Sequence, residues 1–225
     1  MKIIFVRHGH PDYANDCLTE IGHPQAEAAA ERLKDEQVDK IFSSSCGRAY
    51  ETAKHIALRH NMEITQLDFM REIDWGMRGT DDFIHPWDCA DEWIANGKSV
   101  MNVDWQNTPE YKDSTFLKNY NKVIKAFDDW ISSFGLCREG NYYRVTKENS
   151  DTIMLVSHGG SSSAVLSHIL NLPFPFICQT IRPCFTAITV VSFKNKIGEL
   201  TAPKLELVND ARHIEKLTAE NMYGK

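Results

Sequence analysis

The chain has 225 residues, of which 42% are hydrophobic, so it can form one large α/β domain or two small ones around an ordinary core. Its net charge of −6 argues against general nucleic-acid binding, although a local cluster of Arg and His could still form a positive pocket. The apolar run at the start is too short for a signal peptide, and no run approaches the roughly 18 residues that a membrane span requires. We therefore expect a cytoplasmic protein that binds neither nucleic acid nor a membrane.

The six cysteines are scattered between positions 17 and 184, and none forms a Cys-x-x-Cys pair. This spacing argues against a zinc site and against a redox pair of the thioredoxin type. We interpret the cysteines as small, reduced core residues of a cytosolic protein, not as a disulfide framework.

The first predicted element is a buried strand at residues 3–6, which runs directly into Arg7, His8 and Gly9. The run is short, rich in β-branched and aromatic residues, and bounded by Gly9 and Pro11, all of which favour a strand over a helix. Ligands of open α/β sheets bind beyond the carboxyl ends of the strands. Arg7 offers a planar fork of donors for phosphate or carboxylate, and His8 offers a nitrogen that can attack or accept a proton.

The next elements alternate between helix and strand. We predict a helix from a Thr19 cap to about residue 34, a strand at 40–43, a helix at 47–60 with the serines 43–45 as cap candidates, and a strand at 64–67. Arg48 falls in the first turn of the second helix, where the helix dipole favours anions. A cation at that position suggests that an anion binds beside it.

Residues 77–113 differ from the rest because they are rich in loops and aromatic side chains, and they are too few for a core of their own. Phe83, Trp87, Ala90 and Ile94 have helical spacing with a stop at residues 96–97, and a longer amphipathic helix is predicted over 114–134. We interpret residues 77–150 as an inserted helical lid over the active-site mouth of a single domain that spans residues 1–225.

The last third returns to the alternating pattern, with strands at 152–156, 186–193 and 204–208 and a helix of small residues from about Ser161. Strands that alternate with helices indicate a sheet covered on both faces. We therefore predict an α/β fold, namely a three-layer α/β/α sandwich with a mostly parallel central sheet.

Three strand ends carry cationic or imidazole groups, namely Arg7 with His8, then Arg48, then His158. Because parallel strands share one carboxyl edge, these groups can converge on one point and surround a tetrahedral dianion. A neutral imidazole could be the nucleophile. Glu72 and Asp74 are the two candidates for the proton donor to the leaving oxygen.

Several motifs in this order resemble those of the histidine phosphatase superfamily, in its phosphoglycerate-mutase-like branch. The resemblance covers nearly the whole chain and rests on residues 7–9, 18–22 with 25–26, 43–53, 71–73 with Gly76 and Gly79, 156–160, and 209–213. It implies that His8 is the phosphohistidine nucleophile and that Glu72 is the general acid and then the base. It also implies that the phosphoryl group is bound by Arg7, Arg48, His158 and Gly159, without a metal or an organic cofactor.

Two departures from the family pattern concern the loop after Gly9: His10 stands where an acidic residue is usual, and Ala14 where an Asn is frequent. The segment after Glu72 also differs from the Tyr-rich loop of true mutases. We therefore expect a metal-independent phosphatase that hydrolyses a small phosphorylated metabolite. A phosphoglycerate-type mutase and a non-catalytic binding module on this fold are the alternatives, and a homodimer is left open.

Overall fold

The structure is a computed structural model that describes residues 1–75 and 86–217. Its strands are β1 (Lys2–Arg7), β2 (Pro11–Asp12), β3 (Cys17–Leu18), β4 (Lys40–Ser44), β5 (Ile64–Leu67), β6 (Leu136–Glu139), β7 (Tyr142–Val145), β8 (Thr152–Ser157), β9 (Ile188–Ser192), β10 (Leu200–Thr201) and β11 (Lys204–Asp210). Its α-helices are α1 (Gly22–Leu33), α2 (Gly47–His60), α3 (Pro86–Ala95), α4 (Thr115–Ser132), α5 (Gly159–Leu170) and α6 (Phe174–Thr180). Short 3-10 helices lie at Asp68–Met70, Trp105–Asn107 and Arg212–Ile214.

Six strands form the central sheet in the order β11-β9-β1-β8-β4-β5. The pairs β1–β8, β8–β4 and β4–β5 are parallel, whereas β9 runs antiparallel to both β1 and β11. The sheet is therefore mixed but mostly parallel, as predicted. The carboxyl ends of β1, β4 and β8 meet at one edge.

Side chains of β1 alternate between two separate hydrophobic cores. Ile3 and Phe5 pack in the core that includes α4, α5 and α6, whereas Ile4 and Val6 pack in the core that includes α1 and α2. A strand that is buried on both faces lies in the middle of a sandwich. The predicted three-layer α/β/α architecture is confirmed.

Helix α4 shows how an apolar stripe becomes a packed face. Its buried residues recur at the predicted spacing and are Phe116, Tyr120, Val123, Phe127 and Ile131. Ser114 caps the helix by accepting a hydrogen bond from the Leu117 N–H at 3.0 Å. The stripe packs against the sheet, where the Trp130 and Phe42 rings meet edge to face at 5.3 Å.

A small antiparallel sheet of β6, β7 and β10 was not predicted. Strands β6 and β7 have only four residues each and pair from Glu139 opposite Tyr142, so a two-residue turn of Gly140 and Asn141 joins them. Gly140 has a positive φ of 58°, which glycine adopts without strain. The Gly-Asn pair is a hairpin signal that the search for long apolar runs missed.

The predicted starts of two helices need correction. Cys46 is the N-cap of α2 and its own side chain makes no capping hydrogen bond, so the serines 43–45 are not caps. The Gly47 N–H at the start of the helix donates to the Asp16 carboxylate instead. Ile21 is the N-cap of α1, although the Thr19 hydroxyl accepts a hydrogen bond from the Gly22 N–H at 3.1 Å. At α2 a carboxylate from a distant loop has replaced local capping, whereas at α1 the Thr19 hydroxyl still binds the first helical N–H from outside the N-cap position.

One further helix boundary and one inward-facing residue also differ from the prediction. Helix α5 begins at Gly159, two residues earlier than expected. In α3 the buried residues include Ala90 and Trp93, whereas Ile94 is 49% exposed and does not belong to the inward face. Phe83 lies outside the described residues.

Within the described ranges, no helix has the length and apolar character to cross a membrane.

Candidate active site

The residues predicted to form the site come together at the carboxyl edge of the sheet. His8 follows β1, His158 follows β8, and Arg48 lies in the first turn of α2 just after β4. The His8 and His158 rings are in edge contact, with their centroids 5.1 Å apart. Strand register explains the approach, because Arg7 at the end of β1 pairs with Ser157 at the end of β8.

The His8 ring is held in one tautomer. It is 1% exposed, and its Nδ1 lies 2.6 Å from the Gly9 carbonyl oxygen. A carbonyl oxygen can only accept a hydrogen bond, so the ring proton is on Nδ1 and Nε2 keeps its lone pair. This is the arrangement that a nucleophilic imidazole requires.

The surroundings of His8 also keep the ring neutral. Burial lowers the pKa of His8 well below its usual 6.5, and the nearby charges of Arg7 and Arg48 lower it further. The hydrogen bond to Gly9 opposes this shift but does not outweigh it. The ring is therefore unprotonated at neutral pH without the help of a separate base.

His158 is fully buried and caps the site from the β8 side. Its Nε2 lies 2.8 Å from the Ser44 Oγ, which is at the end of β4. Among the described residues no group hydrogen-bonds its buried Nδ1. Burial lowers the pKa of His158 well below its usual value, and the nearby charges of Arg48 and Arg7 add to this effect.

Arg7 is anchored by two contacts on one loop. Its Nη1 donates to the Pro183 carbonyl oxygen at 2.7 Å, and its guanidinium lies over the Phe185 ring at 4.2 Å from the centroid. Burial lowers the pKa of Arg7, a shift that an arginine tolerates while remaining charged. The site therefore retains a fixed positive charge beside two neutral imidazoles.

Arg48 is 8% exposed and already has a carboxylate partner within the protein. Its Nη1 lies 2.5 Å from the Asp16 Oδ1, and the Tyr13 ring covers its guanidinium at 5.3 Å. The Asp16 Oδ2 also accepts the Gly47 N–H at 2.8 Å, and these bonds together hold the pKa of Asp16 below its usual value despite partial burial. The anion that the sequence suggests beside Arg48 is thus, in part, Asp16.

Glu72 is placed on the first turn of α5. Its carboxylate accepts the Gly160 N–H at 3.2 Å and the Ser161 N–H at 3.0 Å. Desolvation raises the pKa of Glu72, and the hydrogen bonds and the charge of Arg7 only partly oppose this. The rival acid, Asp74, is exposed and its main-chain oxygen bonds Asn119.

Gly160 is the position that lets Glu72 approach. A Cβ at residue 160 would lie 2.4 Å from the Trp75 ring and 2.5 Å from the Glu72 Oε1. Only a residue without a side chain fits between these two groups. At Gly159 a Cβ would have ordinary contacts, the nearest being the Arg7 Nε at 3.6 Å.

Comparison with known proteins identifies the family. The family model described as "Histidine phosphatase superfamily (branch 1)" matches residues 3–205, which is most of the chain. The chain belongs to this superfamily. The resemblance of its sequence motifs is thereby confirmed.

Two relatives of this histidine phosphatase are distant but match nearly its whole length. A probable phosphatase of Schizosaccharomyces pombe is 21% identical over 96% of both chains, and a probable phosphoglycerate mutase GpmB of Proteus mirabilis is 21% identical over 99% of both. The structure of an Entamoeba histolytica phosphoserine phosphatase, in complex with 3-phosphoglyceric acid, has a TM-score of 0.62 at 22% identity, covering 95% of this chain and 98% of that one. At this identity the structural likeness confirms the fold of the family.

Sequence reasoning missed several groups that surround the site of this histidine phosphatase. Thr52 accepts the Gly9 N–H at 3.1 Å, Ser44 pairs with His158, Asp16 holds Arg48, and Phe185 lies under Arg7. Ser44 and Thr52 had a usable signal, because both lie in the motif at 43–53 and Ser44 also ends a strand at the same edge. Asp16 and Phe185 reach the site through tertiary contacts that no local pattern reveals.

Two other expectations concern His10 and the motif that contains Glu72. His10 is half-buried, with its Nδ1 2.9 Å from the Thr19 Oγ1 and its ring against Phe185, so it lies beside the site on the α1 side. Gly76 and Gly79, which belong to the motif that contains Glu72, lie outside the described residues.

Among residues 1–75 and 86–217, no group of three or more His, Cys, Asp or Glu is placed to hold a metal ion.

Proposed function

We propose that this histidine phosphatase superfamily member is a metal-independent phosphatase that hydrolyses small phosphomonoesters through a phosphohistidine intermediate on His8. The observation that carries the proposal is the His8 tautomer, with Nδ1–H directed at the Gly9 carbonyl and the Nε2 lone pair left for attack. Two arginines and His158 surround that nitrogen, which suits a phosphoryl dianion.

In the first half-reaction, the His8 Nε2 attacks phosphorus while the bond from phosphorus to the ester oxygen breaks. The leaving oxygen takes a proton from Glu72, whose raised pKa favours the protonated form. Arg7, Arg48 and His158 stabilise the negative charge on the equatorial oxygens. The Gly159 N–H, at the start of α5, is a further donor in this proposal.

In the second half-reaction, Glu72 accepts a proton from water as the water oxygen attacks the phosphohistidine. The bond from Nε2 to phosphorus breaks, and inorganic phosphate leaves with the neutral His8 restored. Each cycle therefore consumes one ester and one water and requires no metal. Chelators should leave the rate unchanged.

A phosphoglycerate-type mutase is the second candidate, because the full-length relative from Proteus mirabilis is named a probable mutase. A mutase would return the phosphoryl group to an alcohol and would need a bisphosphorylated primer. Measuring free phosphate with and without that primer separates the two. Phosphate release that does not depend on a primer supports the phosphatase.

The decisive experiment traps the intermediate. Rapid quench with p-nitrophenyl phosphate should give a phosphoenzyme that is labile in acid and stable in alkali, with mass spectrometry placing the phosphate on His8. His8→Ala should lose both the label and the turnover, whereas His10→Ala should keep the label. Turnover by His8→Ala near the parent rate would exclude the mechanism.

We further propose a single domain of residues 1–225 with a lid in the segment 77–150, of which residues 77–85 and the chain end at 218–225 lie outside the described residues. We also propose that the substrate is a small phosphorylated metabolite. Trp87 on α3 supports the first point, because its ring lies 3.7 Å from the position of a Cβ at Gly159. A cytoplasmic location is in keeping with the six free thiols.

A further inference from the structure

A third arginine lies at the mouth of the candidate site. The Arg182 guanidinium lies over the Trp87 ring, with Cζ 5.5 Å from the ring centroid. Trp87 belongs to α3, whereas Arg182 precedes β9, so two separate parts of the chain build this contact. A cation–π contact of this kind fixes the direction of a long side chain that is otherwise half-exposed.

The Trp87 ring connects this arginine to the phosphoryl site. The position of a Cβ at Gly159 is 3.7 Å from the Trp87 Cζ2 and 3.6 Å from the Arg7 Nε. The indole edge and the Arg7 guanidinium therefore both lie against Gly159 at the start of α5, next to His158 in the chain. Arg182 lies over the same indole ring.

The main chain around Arg182 is also fixed to the site. The Pro183 carbonyl, one residue along, accepts from Arg7 at 2.7 Å. Asn209 then binds this segment on both sides, with its Nδ2 donating to the Arg182 carbonyl and its Oδ1 accepting the Cys184 N–H, each at 2.8 Å. Asn209, which belongs to the motif at 209–213, thus holds the loop that carries Arg182.

Two arginine charges, those of Arg7 and Arg182, lie near each other at this mouth. No carboxylate of the described residues forms an ion pair with Arg182, whereas Arg48 has Asp16 as its partner. The charge of Arg182 adds to burial in lowering the pKa of Arg7, so the two arginines repel each other. Like charges held together by packing favour the binding of an anion between or beside them.

We propose that Arg182, stacked on Trp87, binds a second anionic group carried by the leaving group of the substrate. The inference rests on the proposed phosphatase function and narrows its substrates to phosphomonoesters with a carboxylate or a second phosphate near the ester carbon. The guanidinium fork suits either group. Arg182 is then a specificity-determining residue, whereas the phosphoryl group itself is bound by the residues described above.

The test compares ligands that differ only in the second anion. Calorimetry on the full chain gives the Kd of n-propylphosphonate, 3-phosphonopropionate and propane-1,3-diphosphonate. We expect at least one of the two doubly anionic ligands to bind more tightly than propylphosphonate, and Arg182→Gln to weaken that ligand roughly tenfold or more, as expected for a lost charge-assisted hydrogen bond. Binding of propylphosphonate should change less than twofold.

Arg144→Gln is the matched control, because Arg144 is an ion-paired arginine of the β6–β7 hairpin. It should leave the affinities for all three ligands unchanged. The Kd of propane-1,3-diphosphonate compared with that of 3-phosphonopropionate shows which anion the Arg182 subsite prefers. Equal weakening of all three ligands by Arg182→Gln would indicate only a general field effect, and no change in any of them would indicate a structural role; either result overturns the proposal.

Turnover of p-nitrophenyl phosphate keeps this test separate from the proposed function. That ester has no second anionic group, so wild type and Arg182→Gln should hydrolyse it at similar rates. If both proteins hydrolyse it but neither distinguishes the ligands, the Arg182 proposal fails and the phosphatase stands. If neither hydrolyses it while the doubly anionic ligand still binds through Arg182, the phosphatase fails and the subsite stands.

Discussion

At the scale of single residues, the site combines two neutral imidazoles with fixed positive charge. Burial lowers the pKa values of His8 and His158, and each nearby arginine lowers them further. The same burial raises the pKa of Glu72. One low-dielectric environment thus favours the free base of the two imidazoles and the neutral form of the Glu72 carboxyl group, which is the separation of pKa values that the proposed acid–base chemistry needs.

Glu72 can be tested through the leaving group. An alkoxide is a strong base and needs a proton in the transition state, whereas p-nitrophenolate needs much less help. Glu72→Gln should therefore slow single-turnover cleavage of an alkyl phosphate by about 10²- to 10⁴-fold. The pre-steady-state burst of p-nitrophenol should slow much less.

Asp74→Asn is the control for this comparison, because Asp74 is the rival carboxylate and is exposed. We expect it to change neither rate appreciably. Equal slowing of both substrates by Glu72→Gln would mean that Glu72 positions other groups. A leaving-group dependence seen only in Asp74→Asn would move the acid to Asp74.

At the scale of elements, the start of α5 organises the site. His158 is its N-cap, Gly159 begins the helix beside Arg7, and the next two N–H groups bind the Glu72 carboxylate. The unpaired N–H groups of a first helical turn favour an anion. Here the acceptor is the Glu72 carboxyl group of the protein itself, so α5 and Glu72 are fixed relative to each other.

Gly160→Ala tests this arrangement. The new methyl would collide with Trp75 and Glu72, so we expect a loss of about 1–3 kcal/mol in unfolding free energy, together with reduced cleavage of alkyl phosphates. Denaturant unfolding and single-turnover kinetics measure the two effects. Gly159→Ala is the matched substitution, because its methyl has room, and its unfolding free energy should stay close to wild type. Similar losses in both variants would contradict the steric explanation.

At the scale of the whole molecule, charged contacts join the sheet edge to α1. Asp210 ends β11 with its side chain 4% exposed, and it binds Arg212 at 2.8 Å and Arg32 of α1 at 3.6 Å. The Arg212 hydrogen bond is the largest influence and lowers the pKa of Asp210 to about 2. This carboxylate therefore contributes to stability only while it is ionised.

The pH dependence of stability follows from that shift. Because the folded pKa lies below the unfolded value of 3.8, the contribution is complete above about pH 4 and is lost as the pH falls towards 2. Asp210→Asn should lower the unfolding free energy by about 2 kcal/mol at pH 6, with a smaller difference at pH 3. Asp35→Asn, at an exposed carboxyl, should show no such convergence. A constant difference from pH 6 to pH 3 would rule out the ionised pair as its source.

The sequence by itself determined the layers of the fold and the convergence of the candidate site residues at one edge of the sheet. Arg7, His8 and His158 stand at the ends of apolar runs that form strands. Parallel strands bring their carboxyl ends to one edge of the sheet, whatever the conformation of the loops between them. The helix of residues 47–60 was predicted to the residue, because its period and its boundaries are local properties. The motifs that resemble those of the family include these same residues.

Only the tertiary structure decided which partners these residues have. Asp16 binds Arg48 across 32 positions, Ser44 binds His158 across 114, and Arg182 reaches Trp87 from another part of the chain. Periodicity and capping report on residues within a few turns of each other, so they carry no information about such contacts. The choice of Glu72 over Asp74 at α5 depends on the same long-range packing, because both carboxylates occupy equivalent places in the sequence and only one is brought to the helix.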